Sequence, residues 1–396
     1  MKKLAVTSEI FTRGVEDIIS VEELEGLLGK DKQIRVKHGI DATAPLLHIG
    51  HAVSLWKLRA LQEAGHKAVI LLGDVTTQVG DPTGKHKTRP VLSKKEIDGN
   101  IKVLKKQVES ILLTTPRVYE FHKSSEWYSK ITVPEFLKIM ATMTHARLIE
   151  RDMFRARVEN NLEIYMHELI YPLLQGYDSV MLRSDLTVIG SDQLFNEHVG
   201  RMLQEKSGQS PQVIVSIKIL PGLDGREKMS KSEGNFIALT DTPRDKFGKA
   251  MRVLDSLIIP YLEGYTDTPQ EEIQKLHSHI KAGENPMQTK LIFAEQLVQR
   301  YHGQKIAKAE RARFLNIFSK KDITDVPERH LPEGEYDVIT LLVSLELVPS
   351  KSEARRLVSQ RAVEINQKTI TDSKEVIQVK KGTVLKVGKK RFVKII

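Results

Sequence analysis

The sequence predicts an α/β protein: a parallel-sheet domain with a helical insertion, then an α-helical domain, then a small α+β domain. Three observations carry the prediction. Short apolar runs alternate with segments of helical period up to about residue 235, strand patterns stop beyond that point, and positive charge gathers in the last sixty residues.

The first strand is read at Gln33–Lys37, which alternates, and Ala52–Leu61 carries apolar residues at helical spacing. Between them Gly39-Ile-Asp41-Ala-Thr43-Ala-Pro-Leu-Leu-His48-Ile-Gly50-His51 forms a strand-to-helix corner. There the helix dipole and free N–H groups favour an anion, most often a phosphate. Three readings of the two histidines stay open: phosphate partners, hydrogen-bonded core side chains, or metal ligands. Metal is the weakest, because the chain has no cysteine and no third ligand at metal spacing nearby.

Lys67–Asp74 is a buried-type strand, Val79–Lys85 a loop, and Ser93-x-x-Glu96 a capping box opening a helix to about Leu113. Strand, helix, strand, loop, helix implies parallel strands with right-handed crossovers. Residues 115–165 break the rhythm with helical material from Val133 to Arg157. Its Met140, Met143, Met153 and Phe154 suit either a second copy of the chain or the parent domain. Leu186–Gly190 and Gln212–Ile217 return to strand, so a nucleotide-binding, Rossmann-like domain over 1–235 is expected.

Beyond Asn235 helices follow to about 326, one opened by the box Thr268-Pro-Gln-Glu271 and ended near Gly283. Residues 327–336 read as an acidic, turn-rich linker. The third unit, 337–396, has a helix capped at Ser350 and strands near 362–366, 376–380 and 383–393. It holds thirteen Lys and Arg against six Asp and Glu, in a chain of formal charge +10, which favours a nucleic-acid partner. Without cysteine there are no disulfides. The first residues lack the apolar core of a signal peptide and no apolar run reaches membrane-spanning length, so no membrane association and a cytoplasmic location are expected.

Lys228-Met229-Ser230-Lys231-Ser232 lies just after the last strand, on a glycine-flanked loop whose lysines can swing onto a polyphosphate. Together with His48-Ile-Gly50-His51 it resembles the two hallmark motifs of class I aminoacyl-tRNA synthetases, letter for letter. The resemblance implies ATP, with Mg2+, as cofactor, and adenylate formation followed by transfer to tRNA. Thr43, His48, His51, Lys85, Arg89, Lys228 and Lys231 would then neutralise the phosphates. Gly50, Gly190, Asp192, Met229 and Ser230 complete the nucleotide site.

Further motifs resemble the tyrosyl-tRNA synthetases along nearly the whole chain: Gly39-x-Asp41-x-Thr43, Gly80-Asp81-Pro-Thr-Gly-Lys85, Tyr171-x-x-x-Gln175-x-Tyr-Asp178 and Gly190-Ser-Asp192-Gln193. On a helix Tyr171, Gln175 and Asp178 share one face. By resemblance Tyr171, Gln175 and Asp81 hold the ammonium of L-tyrosine, Asp178 takes its phenolic hydroxyl, Gln193 orients its carboxylate, and Gly190 and Asp192 meet the adenylate ribose. Lys37, Gly39 and Asp41 line the tyrosine side. The last unit resembles the alpha-L RNA-binding domain of bacterial tyrosyl enzymes, which tryptophanyl enzymes lack. The resemblance implies tRNA(Tyr) as partner, the 236–326 unit as anticodon-binding, and a homodimer built on the 115–165 insertion.

Two positions depart from the commoner family pattern. Ile189 stands where many members have glycine, and Lys37 where one branch has tyrosine and another, which this chain resembles, has lysine. If close, the Lys37 ammonium is expected to pair with Asp178 and lower its pKa; otherwise it snorkels to the rim. A tryptophanyl-like ligase and an RNA-binding splicing helper on a synthetase scaffold are the rival readings.

Overall fold

The structure, a computed structural model, describes residues 3–81, 92–230, 233–319, 328–366, 368–388 and 391–396. It divides into two compact units, Met1–Lys308 and Ala309–Ile396.

The first unit is built on six strands: β1 (Val15–Ile19), β2 (Arg35–Asp41), β3 (Lys67–Gly73), β4 (Tyr119–Lys123), β5 (Leu186–Gly190) and β6 (Val213–Ile217), in the order β1-β6-β5-β2-β3-β4. All neighbours are parallel except the β1 edge, which pairs antiparallel with β6. β3 is buried along nearly its whole length because helices cover both faces of a parallel sheet. The chain moves outward from β2 through β3 to β4 and then returns to the other side of β2 as β5. The strand order therefore turns between β2 and β5, where open α/β sheets hold their ligands.

Several expectations shift. The first strand runs on through Gly39 to Asp41, so these two residues belong to the sheet and not to the corner. The stretch 115–165 opens with β4, a sheet strand, and its helical part follows as Ser125–Tyr128, Val133–Met140, His145–Ile149 and Asp152–Glu159. Phe154 is fully buried with Leu148 and Leu169, and Met140, Met143 and Met153 pack on such clusters. The parent unit thus buries the face whose partner was open. Exposed apolar side chains in and just after this region include Val133, Leu137, Val158, Leu162, Tyr165 and Met166. The box at Ser93 forms as expected, with Ser93 accepting from the Glu96 N–H over the helix Lys94–Glu109. The one at Thr268 does not, since Pro269 caps the helix Gln270–Lys281 and Thr268 bonds Thr266 instead.

Beyond residue 236 the unit is helical: Pro243–Ala250, Ile258–Tyr265, Gln270–Lys281, Met287–His302 and Gln304–Ser319, the last crossing the division. In the second unit β7 (Glu328–Arg329) and β8 (Gly334–Asp337) occupy half of the stretch read as a linker. β9 (Val363–Ile365), β10 (Lys368–Thr369), β11 (Val376–Val379), β12 (Val384–Val387) and β13 (Arg391–Ile395) follow the helices Val338–Ser344 and Lys351–Ser359. β7 pairs with β13 and β8 with β11, so the acidic stretch is structural. The single strand expected over 383–393 is the hairpin β12–β13.

Candidate active site

The corner after β2 is held from behind. Gln107 of the helix Lys94–Glu109 accepts from the Leu47 N–H and donates to the Pro45 carbonyl, and Asn100 donates to the Ala42 carbonyl. Thr43 is half-buried in this loop. His48 caps the helix Ile49–Glu63, its backbone N–H donating to Nδ1 of His51 at 3.2 Å, with the ring centroids 3.7 Å apart. A methyl group on Gly50 would stand 3.0 Å from the His48 ring, so glycine lets the imidazole fold back over the helix start.

The lysine loop is brought to the same corner by backbone pairing. The Ile49 N–H donates to the Ile237 carbonyl and the Leu239 N–H to the Leu47 carbonyl, while Asn235 braces the loop by accepting from the Ser230 N–H and donating to Asp224. Met229 is buried, and its backbone hydrogen-bonds His48. Half-exposed Lys228 meets Asp192 Oδ2 at 2.7 Å, just past Gly190 at the end of β5. Burial, with Lys228 nearby, holds the His48 imidazole down at about 4, and the crowding of its ring together with the neighbouring His48 holds His51 well below the usual range although the residue keeps an exposed edge. Both are neutral at pH 7; the one ring N–H of His48 goes to the Met229 carbonyl, whereas His51, whose Nδ1 accepts from the His48 N–H, carries its proton on Nε2 and can donate it to an anion. Lys85, Arg89 and Lys231 lie outside the described residues. Among the described residues no cluster of three or more His, Cys, Asp or Glu could hold a metal.

The second half of the site lines the helix Met166–Leu182. Tyr171 donates its hydroxyl to Asp41 Oδ2 at 2.9 Å, and Thr76 donates to Oδ1 of the same carboxylate at 2.7 Å. Gln193 donates to Asp81 Oδ2 at 2.8 Å, and Asn196 donates to both Gln175 Oε1 and Gln193 Oε1. Gly39 is exposed on the face of β2 that also carries Lys37 and Asp41. Asp178 is buried, and Trp127 donates its indole N–H to Asp178 Oδ1 at 2.9 Å.

Here two expectations about Lys37 fail. It neither pairs with Asp178 nor snorkels: only 1% exposed, it donates to Glu197 Oε2 at 2.8 Å and Ser179 Oγ at 2.6 Å. A buried carboxylate within direct reach takes the ammonium, leaving Asp178 only its longer-range field. Burial therefore prevails at Asp178 over Lys37 and the bonds with Trp127 and Tyr128, pushing its carboxyl up to about 8. Asp178 is a neutral acid near pH 7, not the ionised acceptor expected. Ile189 has its side chain buried in β5.

Glu197, Asn196, Ser179, Gln212 and Trp127 escaped the sequence reading. Asn196 and Glu197 follow Gln193 within one helical turn, and a polar pair just before the apolar Val199 was the available signal. Trp127 gave none, because it reaches Asp178 only through the fold.

The family model of class I tRNA synthetases (W and Y) matches residues 29–319, and that of the tyrosine–tRNA ligase SYY-like C-terminal domain matches 319–395. A tyrosine–tRNA ligase of Thermotoga maritima is 40% identical over 98% of this chain and 96% of its own length; one of Haemophilus influenzae is 41% identical over 97% and 95%. Among solved structures, a C-terminally truncated mitochondrial tyrosyl-tRNA synthetase of Aspergillus nidulans has TM-score 0.65 at 22% identity, covering 79% of this chain and 94% of its own. The Archaeoglobus fulgidus tyrosyl-tRNA synthetase complexed with L-tyrosine has TM-score 0.60 at 24% identity, covering 76% and 98%; at such identities both speak for the fold. With the histidine motif and the described part of the lysine motif, Lys228–Ser230, meeting at the turning point of the sheet and family matches along nearly its whole length, the chain belongs to the class I tRNA synthetases.

Proposed function

We propose that this chain is a tyrosine–tRNA ligase that activates L-tyrosine with ATP and transfers it to the 3′ end of tRNA(Tyr). The observation that carries the reading is the convergence of two chemistries at one crevice. A neutral histidine pair with Lys228 stands at the carboxyl ends of β2 and β5, and beside it Tyr171, Gln175 and the buried Asp178 lie along one helix in a hydrogen-bonded polar cluster.

The amino-acid carboxylate is already ionised and attacks the α-phosphorus directly. A P–O bond forms, the bond to pyrophosphate breaks, and no general base is needed. His51 donates a neutral N–H bond to a phosphate oxygen, His48 does so once its N–H exchanges the Met229 carbonyl for the phosphate, Thr43 adds a hydroxyl, and Lys228 supplies charge where it develops. Lys85, Arg89 and Lys231 belong to this group by family pattern. Mg2+ arriving with ATP supplies further neutralisation on the phosphates. Asp192 and Gly190 receive the ribose, and Gln193 the carboxylate. Tyr171, Gln175 and Asp81 hold the ammonium, and Asp178 meets the phenol. In this reading the protein works in the cytoplasm as a homodimer, with Val133, Leu137 and Met166 offering apolar surface for the partner copy. Residues 236–326 contact the anticodon arm. Light scattering should give about twice the 44.9 kDa chain mass.

Pyrophosphate exchange run separately with all twenty amino acids tests the activity. Tyrosine alone should support it at micromolar concentration, and exchange driven by tryptophan would overturn the assignment.

A further inference from the structure

We propose that Glu197 is a positioning residue for the amino-acid substrate: with Lys37 and Gln212 it fixes the side-chain amide of Gln175 so that the oxygen faces the substrate ammonium. The inference rests on the reading that Gln175 meets that ammonium.

Glu197 is 1% exposed and accepts three hydrogen bonds, from Lys37 Nζ at 2.8 Å and Gln212 Nε2 at 2.6 Å on one oxygen and from Gln175 Nε2 at 2.8 Å on the other. An ionised carboxylate accepts only, so each amide beside it must present its NH2. The Gln175 amide is thereby oriented, and its oxygen turns to Asn196 Nδ2 at 3.0 Å. The same Asn196 nitrogen serves Gln193 Oε1 at 2.9 Å, and Gln193 Nε2 ends the chain on Asp81 Oδ2. The relay thus begins and ends on carboxylates, and no amide within it can turn without setting donor against donor or acceptor against acceptor. Gln212 is fixed likewise, accepting from Ser184 and donating to Ser179 Oγ at 3.1 Å.

The consequence falls on the ligand. A carbonyl oxygen has two lone pairs, and Asn196 uses one on Gln175, leaving the other for an ammonium, which can only donate. A Gln175 turned the other way would offer N–H against N–H. Lys37 supplies the compensating charge, since a lone carboxylate this deeply buried is strongly disfavoured. This gives Lys37 a role that does not involve the phenol.

The test compares L-tyrosine with 3-(4-hydroxyphenyl)propanoate, which lacks the ammonium, in pyrophosphate exchange on the full chain. Glu197→Gln, whose amide can donate, should raise the KM for tyrosine roughly 10- to 100-fold, as expected for losing one charged hydrogen bond. The KM for ATP and the inhibition constant of the propanoate should stay within about twofold. Equal weakening of both tyrosine and propanoate, or an unchanged tyrosine KM, overturns the proposal. If Glu197→Gln gives no cooperative thermal melt, the double variant Lys37→Met/Glu197→Leu replaces the pair with apolar groups of similar size, a change buried ion pairs tolerate. It should show the same selective loss, and equal weakening of both ligands there overturns the proposal as well. Gln175→Ala separates the two layers. If it shifts the tyrosine-to-propanoate ratio and the Glu197 variants do not, the positioning role fails alone; if it leaves the ratio unchanged, the ammonium reading itself fails.

Discussion

The sheet unit and the C-terminal unit bury different things. Beneath the crevice the first unit buries Lys37, Asp178, Ser179, Asn196, Glu197, Gln204 and Gln212. The core of the second runs from Val338 to Ile395 through apolar side chains, and Thr383 is the one buried polar residue among its described residues. Its charged pairs, such as Lys368–Glu375 and Lys386–Glu364, stay at or near the surface. A small substrate is surrounded, so the groups that distinguish it must be desolvated, and each must then be satisfied by a neighbour. A polyanion is read from outside, so the core need only hold the cations in place. Selectivity in the first case comes from unmet hydrogen bonds, and affinity in the second from counterion release.

The sharpest way to break this contrast is Asp178→Ala. A carboxyl buried against Trp127 and Tyr128 accepts from the indole on one oxygen, and in the proposed reading it keeps capacity for the substrate phenol. Phenylalanine leaves that capacity unmet, whereas the variant has nothing to leave unmet. The ratio of kcat/KM for tyrosine over phenylalanine should fall by roughly 100-fold or more, mostly through loss of tyrosine activity. Lys37→Ala should change that ratio less, because its ammonium is committed to Glu197 and Ser179. A larger effect from Lys37→Ala would mean that the lysine reads the hydroxyl.

The second test removes the outer recognition surface. The cut belongs after Ser319 rather than within 328–337, because β7 and β8 are strands of the C-terminal sheets and would be left without partners. Tyrosine-dependent pyrophosphate exchange should remain within about twofold, while aminoacylation of tRNA drops at least tenfold and its dependence on salt flattens. Loss of both activities together would show that the basic unit also serves activation.

What could be read from residues follows the same division. The parallel sheet, the strand-to-helix corner and the shared face of Tyr171, Gln175 and Asp178 are local patterns, legible because strand and helix periods place neighbours within a few residues. The β1 edge strand and the pairings of β7 and β8 are not, since short strands acquire meaning only from distant partners. Likewise Lys37 was recognisable as a charge near the pocket, but its partner lies 160 residues on. Which of two carboxylates a buried ammonium chooses is decided by packing, and from that choice follows whether Asp178 is an anion or an acid. Phe154 and its neighbouring methionines carried the same ambiguity, an apolar face whose cover only the tertiary structure selects.

The smallest expected effect is one of sign. In the unliganded protein the Asp178 carboxyl is raised by burial from 3.8 to about 8, so between those values the folded chain keeps a proton that the unfolded chain gives up. Raising the pH through this interval therefore removes stability, and the loss is complete above about 8. In the C-terminal unit the direction is opposite. Asp337, bonded to the Thr340 N–H, and Glu353, bonded to Arg356, are held below their ordinary values and contribute stability that is lost as pH falls through their lowered pKa values. Asp178→Asn keeps an acceptor for Trp127 but has no proton to lose. Its Tm relative to the parent should rise by about a few degrees between pH 5 and 8, with the two curves converging on the acid side. Added tyrosine should shrink the difference if it satisfies the carboxyl. Parallel Tm curves across that range would place Asp178 among the ordinary ionised carboxylates, and the contrast between a proton-holding interior and a charge-bearing surface would fail at its central residue.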